Sequence, residues 1–189
     1  MIVSFTGAQS TGKSTLLEKC RGDKRFESYE FEPEVTRWVK RTYGLSINEA
    51  GDDFTQLAIL NRHMHNYLIY RDKDVILDRC IVDGLVYTQY LYLNNKVSAD
   101  VLDAATHLYN KLVDKIDVIF YTEPDIPLVD DGERSVNVRF RNEIIAIFEK
   151  VLCSAQASTK VVRLKGSVEN RMKVIYNEIE NYGKQTIRQ

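Results

Sequence analysis

The nine residues Gly7-Ala8-Gln9-Ser10-Thr11-Gly12-Lys13-Ser14-Thr15 constrain this chain more than any other stretch. They fill the pattern G-x-x-x-x-G-K-[ST], the phosphate-binding loop known as Walker A. The flanks agree with it: Ile2 to Phe5 is a short apolar run of β-type residues, and Leu16-Leu17-Glu18-Lys19 reads as helix. A strand, a glycine-rich turn and a helix N-terminus are what the motif needs. The glycines let the backbone curl until several N–H groups point at phosphate oxygens, and the helix adds partial positive charge. In that arrangement Lys13 reaches the β- and γ-phosphates of ATP, and the Ser14 hydroxyl sits on Mg²⁺.

At 189 residues the chain is expected to form one domain, residues 1–189, with room for a substantial core. Its net charge of −1 supplies no global positive field toward nucleic acid or membrane. Cys20, Cys80 and Cys153 are odd in number and widely spaced, without a C-x-x-C. That usage fits reduced thiols in a cytoplasm better than a disulfide framework or a zinc site. The first strand opens at residue 2, which leaves no space for a signal peptide, and no apolar run reaches the ~18 residues of a membrane span. A cytoplasmic protein is expected, in a host cytoplasm if the source is viral.

Short apolar runs at Ile2–Phe5, Tyr29–Phe31, Val75–Leu77, Val118–Tyr121 and Val161–Leu164 are the strand candidates. Most lack alternation, as parallel strands buried on both faces do. Helical spacing lies between them: Leu57, Leu60, Met64 and Leu68 behind a cap at Asp52 or Asp53, then Leu102, Ala105, Leu108 and Leu112 after Ser98. Ile144, Ile147, Phe148 and Val151 mark another helix, and Val168, Met172, Ile175, Ile179 and Tyr182 a last one. Alternating strands and helices predict a three-layer α/β domain around a parallel sheet, with its ligand beyond the carboxyl ends of the strands.

The chemistry is therefore sought at the strand ends. Val75-Ile76-Leu77 runs into Asp78-Arg79. An acid there holds Mg²⁺ opposite Ser14, and a guanidinium beside it suits a phosphate or a nucleobase edge. Asp83, four residues past Arg79, is either a second polar contact or a helix-terminal acid favoured by the dipole. The second strand runs into Glu32-Pro33-Glu34, with Pro33 placed to open a helix. One of these two carboxylates is expected to take a proton from an acceptor hydroxyl. Arg37, three residues beyond Glu34, either binds substrate or forms a structural pair with it. Trp38 reads as a core residue before a stacking platform. The fourth strand leads into a polar loop and then a helix carrying Arg139 and Arg141. Residues of about 125–141 make a candidate lid, with Arg134 ranked first as the cation that closes on the transferring group. His63, His65 and His107 read as structural or surface residues.

The phosphate loop, Pro33-Glu34-Val35-Thr36-Arg37, Ile76-Leu77-Asp78-Arg79 and Asp125-Ile126-Pro127-Leu128-Val129-Asp130-Asp131-Gly132-Glu133-Arg134-Ser135 occur in a telling order and spacing. Together they resemble the P-loop kinase family that includes the ribosylnicotinamide kinase domain of NadR and its AAA-labelled relatives, many of them encoded by bacterial viruses. Looser similarity runs to thymidylate and deoxynucleoside kinases, which carry a Glu-Pro after the second strand and an acid-Arg pair after the third. It also runs to viral enzymes that phosphorylate 5-hydroxymethyluridine within DNA. The resemblance implies a nucleoside/nucleotide kinase type of P-loop domain with five parallel strands ordered 2-3-1-4-5. By the looser likeness Glu32 is the base or acceptor-binding group and Arg79 contacts the acceptor.

The expected activity is transfer of the γ-phosphoryl group of Mg²⁺-ATP to a nucleoside- or nucleotide-type acceptor. A hydroxymethylated base in DNA is the second candidate, and a nucleotide-dependent ATPase or switch the competitor from another class. Lys24, Arg25, Arg37, Lys40 and Arg41 offer a basic rim near the second strand should DNA be the substrate. A homodimer is a candidate assembly, and no membrane partner is expected.

Overall fold

The structure, a computed structural model, describes residues 1–127 and 137–186, with side chains described through Tyr182. Five strands form one parallel sheet: β1 (Ile2–Thr6), β2 (Glu30–Glu32), β3 (Val75–Asp78), β4 (Val118–Thr122) and β5 (Lys160–Leu164). Their order is β2-β3-β1-β4-β5, as the resemblance implied. Each sequence run matches a strand to within a residue, because short unbroken runs of β-branched and aromatic residues suit strands of a parallel sheet covered by helices on its faces.

Among the described residues seven α-helices flank the sheet: α1 (Lys13–Arg21), α2 (Val35–Tyr43), α3 (Asp53–Tyr70), α4 (Ile81–Leu93), α5 (Ala99–Leu112), α6 (Val138–Ala155) and α7 (Val168–Thr186). Successive strand residues serve opposite layers. Ile119 and Tyr121 join a core built with α4, α5 and α6, whereas Val118 and Phe120 join one built with α1 and α7. A helix on each face is what turns every residue of β1 and β4 inward, and both strands are buried throughout. A third, smaller cluster of Val35, Val39 and Ile59, with Trp38 packed against it, joins α2 to α3. Trp38 is half-buried at this helix–helix contact. Asp52 caps α3 by accepting from the Thr55 amide at 2.9 Å. No helix among the described residues is long and apolar enough to cross a membrane, and Cys20, Cys80 and Cys153 are all free thiols.

The register lines up the strand ends. Phe5 pairs with Asp78, Leu77 with Glu32, and Tyr121 with Thr6. Thr6, Glu32, Asp78 and Thr122 therefore end at one edge of the sheet, where the phosphate loop leaves β1. Gly7 sits at φ 138° there, and a Cβ on it would meet Thr122 Oγ1 at 2.6 Å and the Thr122 carbonyl at 2.9 Å. Gly7→Ala is accordingly expected to lower stability by about 1–3 kcal/mol, the range for a residue held in a sparsely populated backbone region. A thermal melt checks it. An unchanged midpoint would mean that the loop relaxes away from β4.

Candidate active site

Residues 7–15 close into a cradle because three of them hold positive φ: Gly7 at 138°, Ser10 at 55° and Gly12 at 87°. Two threonines pin the cradle to the sheet. The Thr11 and Thr122 hydroxyls lie 2.6 Å apart; Thr11 also donates to the Ala8 carbonyl at 2.9 Å, and Thr122 to Thr6 O at 3.0 Å. At the start of α1, Gly12 occupies the cap position and no side chain caps the helix. The first-turn amides thus face the loop with a positive end of dipole behind them, which suits an anion. Lys13 folds over the same loop, its Nζ donating to Gly7 O at 2.8 Å, Ala8 O at 2.6 Å and Thr11 Oγ1 at 3.3 Å. Burial, with the Arg79 charge nearby, pushes its pKa down to about 7.

Arg79 organises the opposite wall. It is the first residue past β3 and holds φ 77°, a left-handed conformation rare for a side chain of its size. Its own amide donates to Phe5 O of β1 at 3.0 Å, which fixes the kink and turns the guanidinium across the sheet edge. Nε donates to Glu34 at 2.8 Å, and Nη1 to Asp83 at 2.9 Å and to Gly7 O at 3.4 Å. Arg79 thereby ties β3, the head of α2, the head of α4 and the phosphate loop together. Burial works against its charge, but Tyr87, Glu34 and Asp83 around it outweigh that and raise its pKa.

The two carboxylates after β2 part company. Glu34 stands at the cap position of α2, facing Arg79 on one side and Arg37 at 2.9 Å on the other. Burial pushes its pKa up, yet Arg79, Arg37 and Lys13 more than offset this and hold it below the ordinary value. Glu32 is the last residue of β2, and both of its oxygens are engaged, by Arg62 at 2.6 Å and by the Tyr70 hydroxyl at 2.8 Å. Arg62 in turn stacks over Trp38, 4.5 Å from the ring centroid. Glu32 thus ties β2 to α3.

A cavity of about 250 Å³ runs from the phosphate loop to the head of α2, walled by Lys13, Ser14, Glu34, Asp78 and Arg79 among others. A second, of about 280 Å³, opens on the far side of Glu34 and shares Ser14, Glu34, Arg37, Arg41 and Asp78 with the first. Glu32 lines only the second. Asp83 lines neither of them: it sits behind Arg79, accepting from Thr6 Oγ1 at 2.7 Å and from the Cys80 amide at 3.0 Å. Of the two roles open to Asp83 in the sequence, the helix-terminal one matches this geometry.

Ser14 and Asp78 border both cavities. Burial and the Glu34 charge push the Asp78 pKa up to about 6, outweighing the opposing pull of Arg79 and Lys13. One carboxylate and one hydroxyl are the oxygen donors that Mg²⁺ takes alongside phosphate and water. No cluster of three or more His, Cys, Asp or Glu converges among the described residues, so such an ion would depend on phosphate for the rest of its shell. An acid whose pKa is higher folded than unfolded binds a proton on folding between the two values, and its ionisation costs stability as pH rises through that window. Asp78→Asn is therefore expected to melt above the parent at pH 7–8, with the gap closing toward pH 4, while losing phosphoryl transfer. A variant that melts lower at pH 8 would contradict this.

Arg134 and most of the candidate lid lie outside the described residues. Of the other lid arginines, Arg139 is exposed and pairs with Glu143 at 2.7 Å. Arg141 instead reaches back to the phosphate loop, donating to Ile126 O at 2.8 Å and, at 3.5 Å, to Ser10 O. Arg171 had no sequence signal, since an arginine in an amphipathic helix reads as exposed. It is fully buried, donating to Thr11 O at 2.6 Å and to Gly166 O at 3.1 Å while paired with Asp125, and so braces the loop from behind. His63 is buried, and burial pushes its pKa down to about 4, in keeping with a structural residue.

Sheet order, phosphate loop and flanking helices define the fold of the P-loop nucleoside kinases. Residues 2–171 match the family model AAA_28, an AAA domain. The chain belongs to that family. Deoxyadenosine kinase from M. mycoides, solved with products dCMP and a flexible dCDP bound, is similar at a TM-score of 0.69 and 15% identity, covering 96% of this chain and 100% of that one. NadR protein in complex with NR is similar at a TM-score of 0.67 and 18% identity, over 88% of this chain and 46% of that one. NadR with NAD and AMP-PNP gives 0.67 and 19%, over 96% and 49%. The chain thus spans about half the length of the NadR chains it matches. No curated protein matches its sequence.

Proposed function

We propose that the protein is a kinase that moves the γ-phosphoryl group of ATP to an oxygen of a nucleoside- or nucleotide-type acceptor. The observation that carries this reading is the shared wall. Lys13, Ser14 and Asp78 on the phosphate side and Glu34 and Arg79 on the acceptor side border one cavity. Its volume of about 250 Å³ leaves space for a reacting hydroxyl between them. The likeness in fold to deoxyadenosine kinase supports it further.

In this reading the loop amides and Lys13 hold the β- and γ-phosphates. Ser14 and Asp78 would hold Mg²⁺, which when bound neutralises charge on the phosphate oxygens. Arg79 orients the acceptor, and Glu34 accepts the hydrogen bond of its hydroxyl. The acceptor oxygen bonds to the γ-phosphorus as the bond from that phosphorus to the bridging oxygen breaks. ADP leaves with the bonding electrons, and the hydroxyl proton passes to Glu34. A carboxylate held below its ordinary pKa is a weak base, which suffices because the proton moves late in a loose transition state. Arg141, already at the phosphate loop, is placed to add positive charge there, and Arg134 is proposed for the same role.

Transfer from [γ-³²P]ATP to nucleosides, nucleotides, ribosylnicotinamide and hydroxymethyluridine DNA tests the reading. Free phosphate with no labelled acceptor would favour an ATPase or switch. Glu34→Gln is expected to lower kcat at least about tenfold and, because Glu34 pairs with Arg79 and Arg37, to lower the melting point as well, whereas Glu32→Gln should lower the melting point with kcat nearly kept. Equal kcat losses for the two would remove Glu34 from proton transfer.

A further inference from the structure

We infer that the acceptor already carries a phosphate group, and that the outer face of α2 is its seat. The inference rests on the kinase reading above and names the substrate class for the same cavity. Three features carry it.

First, the wall is unbalanced. Among the described residues, Lys13, Arg37, Lys40, Arg41 and Arg79 line the cavity against Glu34 and Asp78. The phosphate loop accounts for Lys13, and the internal network of Glu34 and Asp83 accounts for Arg79. The surplus lies on α2, where Arg37, Lys40 and Arg41 fall at i, i+3 and i+4 and so project from one helix face.

Second, that face stands where an acceptor would enter. Arg37 and Arg41 border both cavities, so they flank the passage between them rather than open solvent alone. Arg37 is anchored to Glu34, whose carboxylate is the acceptor-facing group. A dianionic or diester phosphate laid against this turn holds the rest of the acceptor toward Glu34 and Arg79. A neutral nucleoside leaves Lys40 and Arg41 with nothing to neutralise.

Third, the cavity holds a polar group that awaits a ligand. Gln9, on the phosphate loop, is 6% exposed, and both atoms of its carboxamide are buried without a hydrogen-bond partner among the described residues. It lines the cavity that α2 borders. Leaving both a donor and an acceptor buried and unpaired costs stability, which a bound polar oxygen restores. The site is therefore built around an oxygen-rich guest at both ends.

The transfer step is the one written above.

The test compares phosphoryl transfer from ATP to three sets of acceptors: a panel of nucleosides, the matching 5′-monophosphates, and oligonucleotides with and without hydroxymethyluridine. A phosphate-bearing acceptor is expected to show a kcat/KM at least about tenfold above its dephosphorylated counterpart, the scale of one charge-assisted contact. The second and third sets distinguish a free nucleotide from a polynucleotide as the source of the phosphate. In the double variant Lys40→Gln/Arg41→Gln, the KM for that acceptor should rise by a similar factor while the KM for ATP stays within about twofold. Both side chains are exposed, and an unchanged melting point shows that the variant is folded. Equal use of the nucleoside, or a phosphate preference that survives the double substitution, overturns the inference and leaves the kinase reading in place. Label in none of the three sets overturns both.

Discussion

Lys13→Ala is expected to lower phosphoryl transfer by at least about a hundredfold, the cost of removing one preorganised charge from a developing anion, while the fold persists. The persistence follows from two opposing effects. The substitution strips three hydrogen bonds from the loop, leaving the Gly7 and Ala8 carbonyls short of a donor. It also removes a buried ammonium whose pKa has been driven down to about 7. Between that value and the ordinary one near 10.5, the unfolded chain holds a proton that the folded chain lacks. Stability contributed through Lys13 therefore rises with pH across the window and is lost as pH falls through 7. The melting point of the variant relative to the parent should then decline from pH 7 to pH 10. A difference that moves the other way would mean that Lys13 stays charged at neutral pH with its cost met elsewhere.

Arg79→Met should be the most disruptive single substitution outside the core. It leaves Glu34 and Asp83 facing each other without the guanidinium that separates them, and Asp83 is nearly inaccessible to water. Removing one partner of a buried pair costs about 3–5 kcal/mol, or roughly 6–20 °C in melting point for a chain of this size. Transfer should vanish with it, because the head of α2 and the phosphate loop lose their common tie. Replacing the stranded carboxylates as well, in Arg79→Met/Glu34→Gln/Asp83→Asn, should restore much of the stability and none of the activity. Failure of the triple variant to recover would place the damage in the left-handed backbone at residue 79 rather than in the charges.

The unevenness of the sequence reading has a physical pattern. Residues 7–15 were legible because a phosphate loop is contiguous and its chemistry is made by its own backbone. Asp78-Arg79 was legible as a pair because a strand end in a parallel sheet is a fixed address. The Glu32/Glu34 ambiguity was not resolvable locally. The two differ by whether the chain is still in β2 or has begun α2, and so by which one meets Arg62 and Tyr70 and which one meets Arg79. The letters leave Asp83 open between a second polar contact and a helix-terminal acid, and only the packing of α4 against β1 shows its partner Thr6. Arg171 lies 160 residues from the carbonyl it supports, and no pattern of spacing along one chain encodes such a contact.

From its letters alone the chain determined a phosphate cradle, the strands that carry it and the sheet edge where its chemistry collects. Those are short-range properties, set by backbone conformation and by apolar runs that must be buried on both faces. Only the tertiary structure decided which carboxylate borders the cavity, which arginines are spent on holding it together and which face outward on α2. Those choices depend on side chains far apart in sequence competing for the same few buried charges, and that competition is settled when the layers pack.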